Sequence, residues 1–243
     1  MLIVEDNEMK PSKKICKNDI ENNGKIDISK ISKYKNLNGL VISSPNNPTG
    51  NALPTDKIIS ILDNFSGIVV LDEAYIDFSS KGSALSLLDE YPRLMICQTF
   101  SKAYGLAGIR LGIGMANPVI IEYFNKIKPP YNINSLTQKM ALAALKDSSN
   151  VQSQVMTLIS ERQQMKKRLL SFDFVKYIYP SDANFLLIEV DDASLRYDQF
   201  LTQGIVVRNR SSLLGCYNTL RITVGTPEEY IKFINACKTI AQW

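Results

Sequence analysis

Residues 94–112, LMICQTFSKAYGLAGIRLG, carry the signals that decide the fold. The first five of them are almost entirely apolar, and a strand of this composition is typical of a parallel sheet that is buried on both faces. A polar loop with several glycines follows at once and places Lys102 just beyond the end of this strand. Open α/β sheets bind their ligands at the carboxyl ends of the strands. The segment therefore predicts a parallel α/β sheet with Lys102 at its ligand-binding edge.

Two similar apolar runs come earlier in the chain, GLVIS at residues 39–43 and GIVVL at residues 67–71. A helical pattern lies between them, for which we expect capping residues at 55–56 and an end at Asn64. Strand, helix and strand form a βαβ unit, and the later strand at 94–98 extends it. The first half of the chain is therefore predicted to be an α/β domain with a mostly parallel sheet.

The second half mixes helices with short strands, which is typical of a small α+β domain. The whole pattern predicts strands at 111–116, 184–190, 205–207 and 220–224, and helices at 118–127, 135–171 (interrupted near 147), 195–203 and 227–241. Ser135 is expected to open the long helical region with a capping box. We place the domain boundary between residues 148 and 149, which gives a large domain, 1–148, and a small C-terminal domain, 149–243.

Composition narrows the class of protein. The chain has 243 residues, 45% of them hydrophobic, and 28 basic against 24 acidic side chains give a formal charge of +4. Because this charge is spread along the chain, no nucleic-acid partner is expected. No apolar run approaches the ~18 residues that span a membrane, and the N-terminus lacks the layout of a signal peptide. We therefore expect a globular cytoplasmic protein with no membrane partner.

Histidine is absent from the sequence, which excludes the catalytic triads and metal sites that depend on it. Acid–base chemistry near neutral pH must then come from other side chains or from a cofactor. The cysteines form no CxxC pair, so neither a metal site nor a disulfide framework is expected. They are Cys16, Cys97, Cys216 and Cys237.

The loop after the third strand contains the groups that a phosphorylated cofactor needs. Its lysine, Lys102, is a candidate Schiff-base nucleophile. Ser101 and Arg110 supply a hydroxyl and a guanidinium that can hold a phosphate. The alternative is an ordinary turn in which the glycines serve only the backbone.

Polar residues also follow the two earlier strands. Asp72 comes directly after the apolar run at 67–71, where a carboxylate can balance a cationic ring nitrogen, and Tyr75 can donate its hydroxyl to the same ligand. Asn47 lies in the rigid turn SPNNPTG, residues 44–50, which would fix its amide over the sheet. Each cluster alone is compatible with a structural turn. Three clusters after three successive strands favour a binding site.

In this order, Asn-Pro-x-Gly, Asp-x-x-Tyr and Ser-Lys-x-x-Gly-x-x-Gly-x-Arg resemble the motifs of the fold-type I aminotransferases, which use pyridoxal 5'-phosphate. The segments KPPYNINSLTQ, YPSDANF, IVVRNR and LRITVGTPEE are similar to those of the histidinol-phosphate aminotransferases. The resemblance runs from about Gly39 to the C-terminus and is faint over residues 1–35. It therefore implies a fold-type I large domain that is incomplete at its N-terminus, followed by the small α+β domain.

The resemblance implies roles for the residues singled out above. Lys102 would form the Schiff base with the cofactor and move the proton at the substrate's α-carbon. Asp72 would keep the pyridine nitrogen protonated, and Asn47 and Tyr75 would hydrogen-bond the ring hydroxyl. The cofactor phosphate is assigned to Ser101 and Arg110. The catalytic residues are then Lys102, Asp72 and Tyr75.

The resemblance also implies the substrates and the assembly. Arg221 would bind the anionic end of the substrate, and Arg208 would help to bind a phosphate, although the sequence does not show whether Arg208 or Arg210 points inward. The alternative for these arginines is a place on the surface. The implied reaction, in histidine biosynthesis, transfers an amino group from histidinol phosphate to 2-oxoglutarate in a homodimer.

Two other functions stay open at this stage. A related enzyme could act on another phosphorylated amino acid, as a phosphothreonine decarboxylase does. A catalytically inactive fragment is the second alternative, because the family's glycine-containing helix start and stacking aromatic residue have no counterpart in the faintly matching residues 1–35.

Overall fold

Two four-stranded sheets organise the chain in the computed structural model, which describes residues 37–242. The strands of the first sheet are β1 (Gly39–Ser43), β2 (Ile68–Asp72), β3 (Leu94–Thr99) and β4 (Gly112–Ala116), in that order. The first three are parallel, and β4 runs antiparallel to β3. The prediction of a mostly parallel sheet is confirmed. The expectations for residues 1–35, and for Cys16, lie outside the described residues.

The register of this sheet brings the carboxyl ends of its parallel strands level. Ser43 pairs with Asp72, and Asp72 pairs with Cys97 on the next strand. Loops that leave β1, β2 and β3 therefore emerge side by side at one edge. Each of the three polar clusters found in the sequence lies in one of these loops.

Helix α1 (Thr55–Asn64) connects β1 to β2 and buries one apolar face through Ile58, Ile61 and Leu62. It ends at Asn64, as predicted. The predicted caps at 55–56 are wrong, because the N-cap is Pro54 and no side chain bonds to the first turn. The extended backbone of this proline, with φ −64° and ψ 150°, stops the helix from starting earlier.

Three more helices follow the first sheet: α2 (Pro118–Ile127), α3 (Ser135–Lys146) and α4 (Ser148–Leu169). The predicted interruption near residue 147 is confirmed. The predicted cap at Ser135 is wrong by one residue, because Asn134 Oδ1 accepts the backbone N–H of Thr137 at 2.9 Å.

The second sheet is entirely antiparallel and has the order β5-β6-β8-β7. The predicted strand at 205–207 is wrong: this segment forms no ladder, and β7 comprises the two residues after it. The strand Val175–Ile178 was not predicted, because four residues of mixed polarity give no clear period. The second sheet and its helices comprise β5 (Val175–Ile178), β6 (Phe185–Val190), α5 (Ala193–Thr202), β7 (Arg208–Asn209), β8 (Thr219–Thr223) and α6 (Pro227–Ile240).

Each sheet has its own apolar core, and a third cluster joins them. Tyr75 and Phe78, which follow β2, pack with Val155 of α4 and with Ala183 and Phe185 near the start of β6. The loops at the edge of the first sheet are thereby held against the second sheet. The boundary between residues 148 and 149 stays a prediction. No helix within the described range is long and apolar enough to cross a membrane.

Cys237 of α6 provides a test of the C-terminal core. Burial raises the pKa of its thiol to about 12, whereas a thiol in an unfolded chain ionises near pH ~8.5. Between these values the unfolded state loses a proton that the folded state keeps, so stability falls as the pH rises. We expect Cys237 to resist iodoacetamide at about pH 8.5 in the native protein and to react in urea.

The half-buried Cys97 is the internal comparison in the same experiment. Mass spectrometry of the digested protein would separate the two sites. Equal labelling rates at Cys97 and Cys237 in the native protein would contradict a tightly packed C-terminal core.

Candidate active site

Asp72 is the last residue of β2 and lies half-buried at the ligand-binding edge. Its Oδ1 accepts the backbone N–H of Ala74 at 3.0 Å, which orients the carboxylate. Burial raises the pKa of the neighbouring Cys97 thiol, and the Asp72 charge adds to that effect. Among the described residues no cation lies within ion-pair distance of Asp72. A carboxylate is therefore positioned here with no cationic partner within residues 37–242.

Lys102 lies in the loop after β3, and its ammonium reaches the face of the Tyr75 ring. The distance from Nζ to the ring centroid is 5.2 Å, within the range of a cation–π contact. The loop is closed by backbone hydrogen bonds, from Gly105 N to the carbonyl of Lys102 at 3.0 Å and from Leu106 N to the carbonyl of Phe100 at 2.9 Å. The Lys102 side chain is exposed and therefore accessible to a ligand.

A chain of contacts runs from Tyr75 to Asn47. The Tyr75 ring meets Phe185 edge to face with centroids 5.2 Å apart, and the Arg221 guanidinium lies 5.0 Å from the centre of the Phe185 ring. Arg221 Nη1 then donates to Asn47 Oδ1 at 2.9 Å. Four predicted site residues, Lys102, Tyr75, Arg221 and Asn47, are thus linked through one aromatic side chain that the sequence analysis did not single out.

The Arg221 guanidinium is half-buried. Burial lowers the pKa of its guanidinium; Tyr75 opposes that shift, and the charges of Arg210 and Arg208 add to it. The Nε atom of Arg221 is buried and has no hydrogen-bond partner within residues 37–242. A buried donor without a partner costs free energy. An anionic ligand at this position would remove that cost.

Ser101 and Arg110 lie on two segments that contact each other, from Phe100 N to the Leu111 carbonyl at 3.2 Å, and each side chain bonds within its own segment. Ser101 Oγ lies 3.0 Å from the hydroxyl of Thr99, which also accepts the Ser101 backbone N–H at 3.0 Å. Arg110 has a left-handed backbone with φ 53°, and its Nη1 donates to the carbonyl of Ala107 at 3.1 Å. Its side chain is exposed beside a cavity of about 530 Å³, lined also by Gly105 and Asn132.

The structure shows which of the two neighbouring arginines is buried. Arg208 pairs with Arg221 across the β7–β8 ladder, and its side chain is exposed. Arg210 lies two residues further on, is half-buried, and has a buried Nε without a partner in the described part of the chain. Arg210 is therefore the more buried of the two, and the role of Arg208 in binding a phosphate stays a prediction.

Sequence analysis missed a buried carboxylate next to the site. Glu73 is 2% exposed. It accepts hydrogen bonds from the Ser83 hydroxyl at 2.5 Å, the Ala84 backbone N–H at 2.8 Å and Gln98 Nε2 at 2.9 Å. These bonds fix the turn that carries Asp72. The only local signal was a second acidic residue directly after a buried strand.

Two further polar residues join the sheets and were also missed. Arg162 of α4 donates from Nη1 to the carbonyls of Phe78 and Ala183. Asp182 Oδ2 accepts the Ala52 backbone N–H at 2.9 Å and Lys81 Nζ at 3.0 Å. No spacing in the sequence reveals these contacts, because their partners are 21 to 130 residues away.

Comparison with known proteins agrees with this geometry. The family model described as "Aminotransferase class I and II" matches residues 3–237. The chain belongs to the class I and II aminotransferases. It is 50% identical over 206 residues to the histidinol-phosphate aminotransferase of Flavobacterium johnsoniae, and that alignment covers 85% of this chain and 59% of the relative.

Solved structures of aminotransferases have the same fold. The histidinol-phosphate aminotransferase from Clostridium acetobutylicum matches with a TM-score of 0.87 and 26% identity, over 92% of this chain and 70% of that one. The enzyme from Sinorhizobium meliloti, solved in complex with pyridoxal-5'-phosphate, has a TM-score of 0.80 and 23% identity, over 91% and 61%. The predicted fold-type I architecture is confirmed.

The family match begins at residue 3, whereas the alignment with the Flavobacterium relative covers 206 of the 243 residues. The chain spans about three fifths of the length of the curated relative, 59%.

Proposed function

We propose that the protein to which this chain belongs transfers the amino group of histidinol phosphate to 2-oxoglutarate, as a step in histidine biosynthesis. The observation that carries the proposal is the linked arrangement of Lys102 and Arg221 on the two sides of the Tyr75–Phe185 ring pair. An amine lies on one side, and on the other lies a half-buried guanidinium whose Nε has no hydrogen-bond partner among the described residues. The two groups suit a substrate that has a reacting amino group and an anionic end. The 50% identity to a histidinol-phosphate aminotransferase supports the same substrate.

Pyridoxal 5'-phosphate is the proposed cofactor, because the chemistry of the donor set fits it. The Asp72 carboxylate, which lacks a cation among the described residues, suits a protonated pyridine nitrogen. Asn47 and Tyr75 suit the ring hydroxyl. The phosphate is assigned to Ser101 and Arg110, and the Arg110 side chain would have to give up its hydrogen bond to the Ala107 carbonyl. When bound, the cofactor withdraws electrons from the substrate's α-carbon.

Side chains of the protein are proposed to move the proton and to bind the substrate. The Lys102 amine is proposed to take and return the proton at the α-carbon, which requires it to be unprotonated for part of the cycle. Its contact with the Tyr75 ring holds it at the edge of the cleft. Arg221 binds the anionic end of the substrate, and its bond to Asn47 links the substrate end of the cleft to the cofactor end.

The proposal is tested by following the substrates of the purified protein. With pyridoxal 5'-phosphate present, we expect histidinol phosphate to be consumed only when 2-oxoglutarate is supplied, and one glutamate to form for each molecule consumed. A decarboxylase would instead release carbon dioxide without a 2-oxo acid. If neither occurs although the protein binds the cofactor, the proposed reaction is wrong.

Replacing Asp72 by asparagine is expected to lower the rate of amino transfer without unfolding the protein. The amide preserves the size of the side chain and can still accept from Ala74, but it carries no charge to balance a cationic ring nitrogen. Removing one member of a charge pair costs roughly 2–5 kcal/mol, so the amino-transfer rate should fall by at least about 30-fold. Asp77→Asn, an exposed residue in the short 3₁₀ helix Ile76–Phe78 that follows, is the control. Equal rates for the two variants would remove Asp72 from the site.

We also propose that the protein is a homodimer in the cytoplasm, as the biosynthetic role implies. Large apolar side chains of α2, α3 and the loop between them are exposed, including Tyr123, Ile127 and Leu136 at 65%, 78% and 67%. Exposed apolar surface of this kind is typical of an interface. Sedimentation equilibrium should give twice the monomer mass, and a monomer at all concentrations would contradict the dimer.

A further inference from the structure

Three arginines share one face of the second sheet. Arg208 on β7 is directly opposite Arg221 on β8. The Arg210 backbone N–H donates to the carbonyl of Thr219 at 2.9 Å, so the pairing continues by two residues. Since alternate residues of a strand point to the same face, Arg210 lies on the same side as the other two. Directly opposite residues have Cβ atoms about 5 Å apart. Three positive charges are therefore concentrated in a small area.

Among the described residues, no acidic side chain forms an ion pair with this arginine face, Arg208, Arg210 and Arg221. Within residues 37–242, no carboxylate lies within ion-pair distance of any of the three guanidinium groups. Glu189 is on the same side of the sheet, opposite Thr219, but β8 separates it from β7 and so places it two strand spacings, about 9–10 Å, from that strand.

The arginine face also lies near Tyr75, which acts electrostatically on Arg221, and near the buried thiol of Cys216, whose pKa is raised by burial and lowered in part by Arg210. Like charges directly opposite each other on a sheet are destabilising. We therefore expect a bound anion to relieve the repulsion between these arginines.

The Nε atoms of Arg210 and Arg221 are buried and have no hydrogen-bond partner in the described part of the chain. A carboxylate brings one negative charge, whereas a phosphate monoester brings about −1.5 to −2 at neutral pH. Three guanidinium groups therefore favour the phosphate ester. Arg210 differs from exposed Arg208 because it is half-buried and its Nε atom is buried.

We propose that Arg210 is the specificity-determining residue that makes this site prefer a doubly charged phosphate ester to a singly charged carboxylate. The proposal rests on the proposed function, since it concerns the same substrate site. Arg210 acts as a positioning residue: it adds positive potential beneath Arg221 and need not touch the ligand. The preference should then depend on the charge of residue 210 and on the charge of the ligand.

The test measures how two simple ligands bind at different pH values. Propyl phosphate gains its second negative charge near pH ~6, whereas butyrate is already mostly ionised at pH ~5 and cannot gain a second charge. Calorimetric titration of the wild-type protein should show affinity for propyl phosphate rising between about pH 5 and 8 and affinity for butyrate staying nearly level. With Arg210→Gln, the rise in affinity for propyl phosphate should shrink by about tenfold or more. The second negative charge of the ligand is then attracted by two arginines instead of three.

Three variants serve as controls. Arg210→Lys keeps the charge and should keep most of the rise. Arg210→Met is a second neutral variant that leaves no buried donor, and it replaces Arg210→Gln if that protein does not fold. Arg110→Gln shows how much propyl phosphate binds at the cofactor end of the cleft. Thermal unfolding without ligand establishes that each variant is folded.

Two results would overturn the proposal. Only the second of them would also contradict the phosphorylated substrate of the proposed function. If both neutral variants keep the full rise, Arg210 does not set the preference, and the proposed amino-transfer function stands. If the wild-type protein shows no preference for propyl phosphate over butyrate at pH 8, the phosphorylated substrate is wrong as well. The proposed attachment of the cofactor to Lys102 would be unaffected by either result.

Discussion

Replacing Lys102 by alanine is expected to abolish covalent attachment of pyridoxal 5'-phosphate and to lower amino transfer by about 10²- to 10⁴-fold, the range for losing a positioned proton-transfer group. The residue lies in a loop fixed by backbone hydrogen bonds, with its ammonium 5.2 Å from the centre of the Tyr75 ring. Alanine removes the only atoms of this side chain that reach the cleft. It should leave the fold intact, because the Lys102 side chain is exposed.

Two measurements separate attachment from turnover. The wild-type protein mixed with the cofactor should develop a visible absorbance band, and borohydride should then fix the cofactor to the peptide that contains residue 102. Lys57→Ala, which removes an exposed lysine of α1, should behave like the wild type. If Lys102→Ala still gives a protein that borohydride labels, another lysine holds the cofactor.

Replacing Phe185 by alanine is expected to lower the free energy of unfolding by about 3–5 kcal/mol and to weaken substrate binding as well. The side chain is 1% exposed, so its loss leaves a cavity in the cluster that joins the two sheets. It also removes the ring that lies against both Tyr75 and Arg221. We expect the KM for the phosphorylated substrate to rise by about tenfold, since a desolvated cation–π contact contributes roughly 1–2 kcal/mol.

Phe200→Ala is the matched control for the second effect. Phe200 is 0% exposed and packs against Phe174 and Phe233 in the C-terminal core. Its loss should cost about as much stability, but it touches no residue of the site. Urea unfolding and steady-state kinetics of the two variants would be compared. Equal KM values would show that Phe185 is a packing residue without influence on Arg221.

The sequence predicted the first sheet well because the apolar runs of its strands are unbroken. The expected burial of these strands on both faces is wrong, since Val41 and Ile68 are each 42% exposed. The motif residues were also predictable, since short loops place them at strand ends. The predictions that were wrong concern features that depend on backbone geometry and on contacts with distant residues. Pro54 rather than the expected residues precedes α1, and β7 begins after the apolar residues 205–207.

Contacts between distant segments were the least predictable part of the site. The choice between Arg208 and Arg210 depends on side-chain burial and could not be read from two arginines spaced two apart. Arg162 gives no local signal, because its acceptors are backbone carbonyls 84 and 21 positions away. Phe185 is one of several aromatic residues in an apolar strand, and only its neighbours distinguish it.

The hydrogen bond between Asn47 and Arg221 joins residues 174 positions apart. Closing so long a loop costs chain entropy, and that cost is repaid only after both sheets have formed. The cleft is therefore among the last features to assemble as the chain folds. A ligand that contacts both of these residues binds only the finished structure, so it raises the stability of both sheets at once by mass action. Unfolding that begins in either sheet would release the ligand before the other sheet has opened.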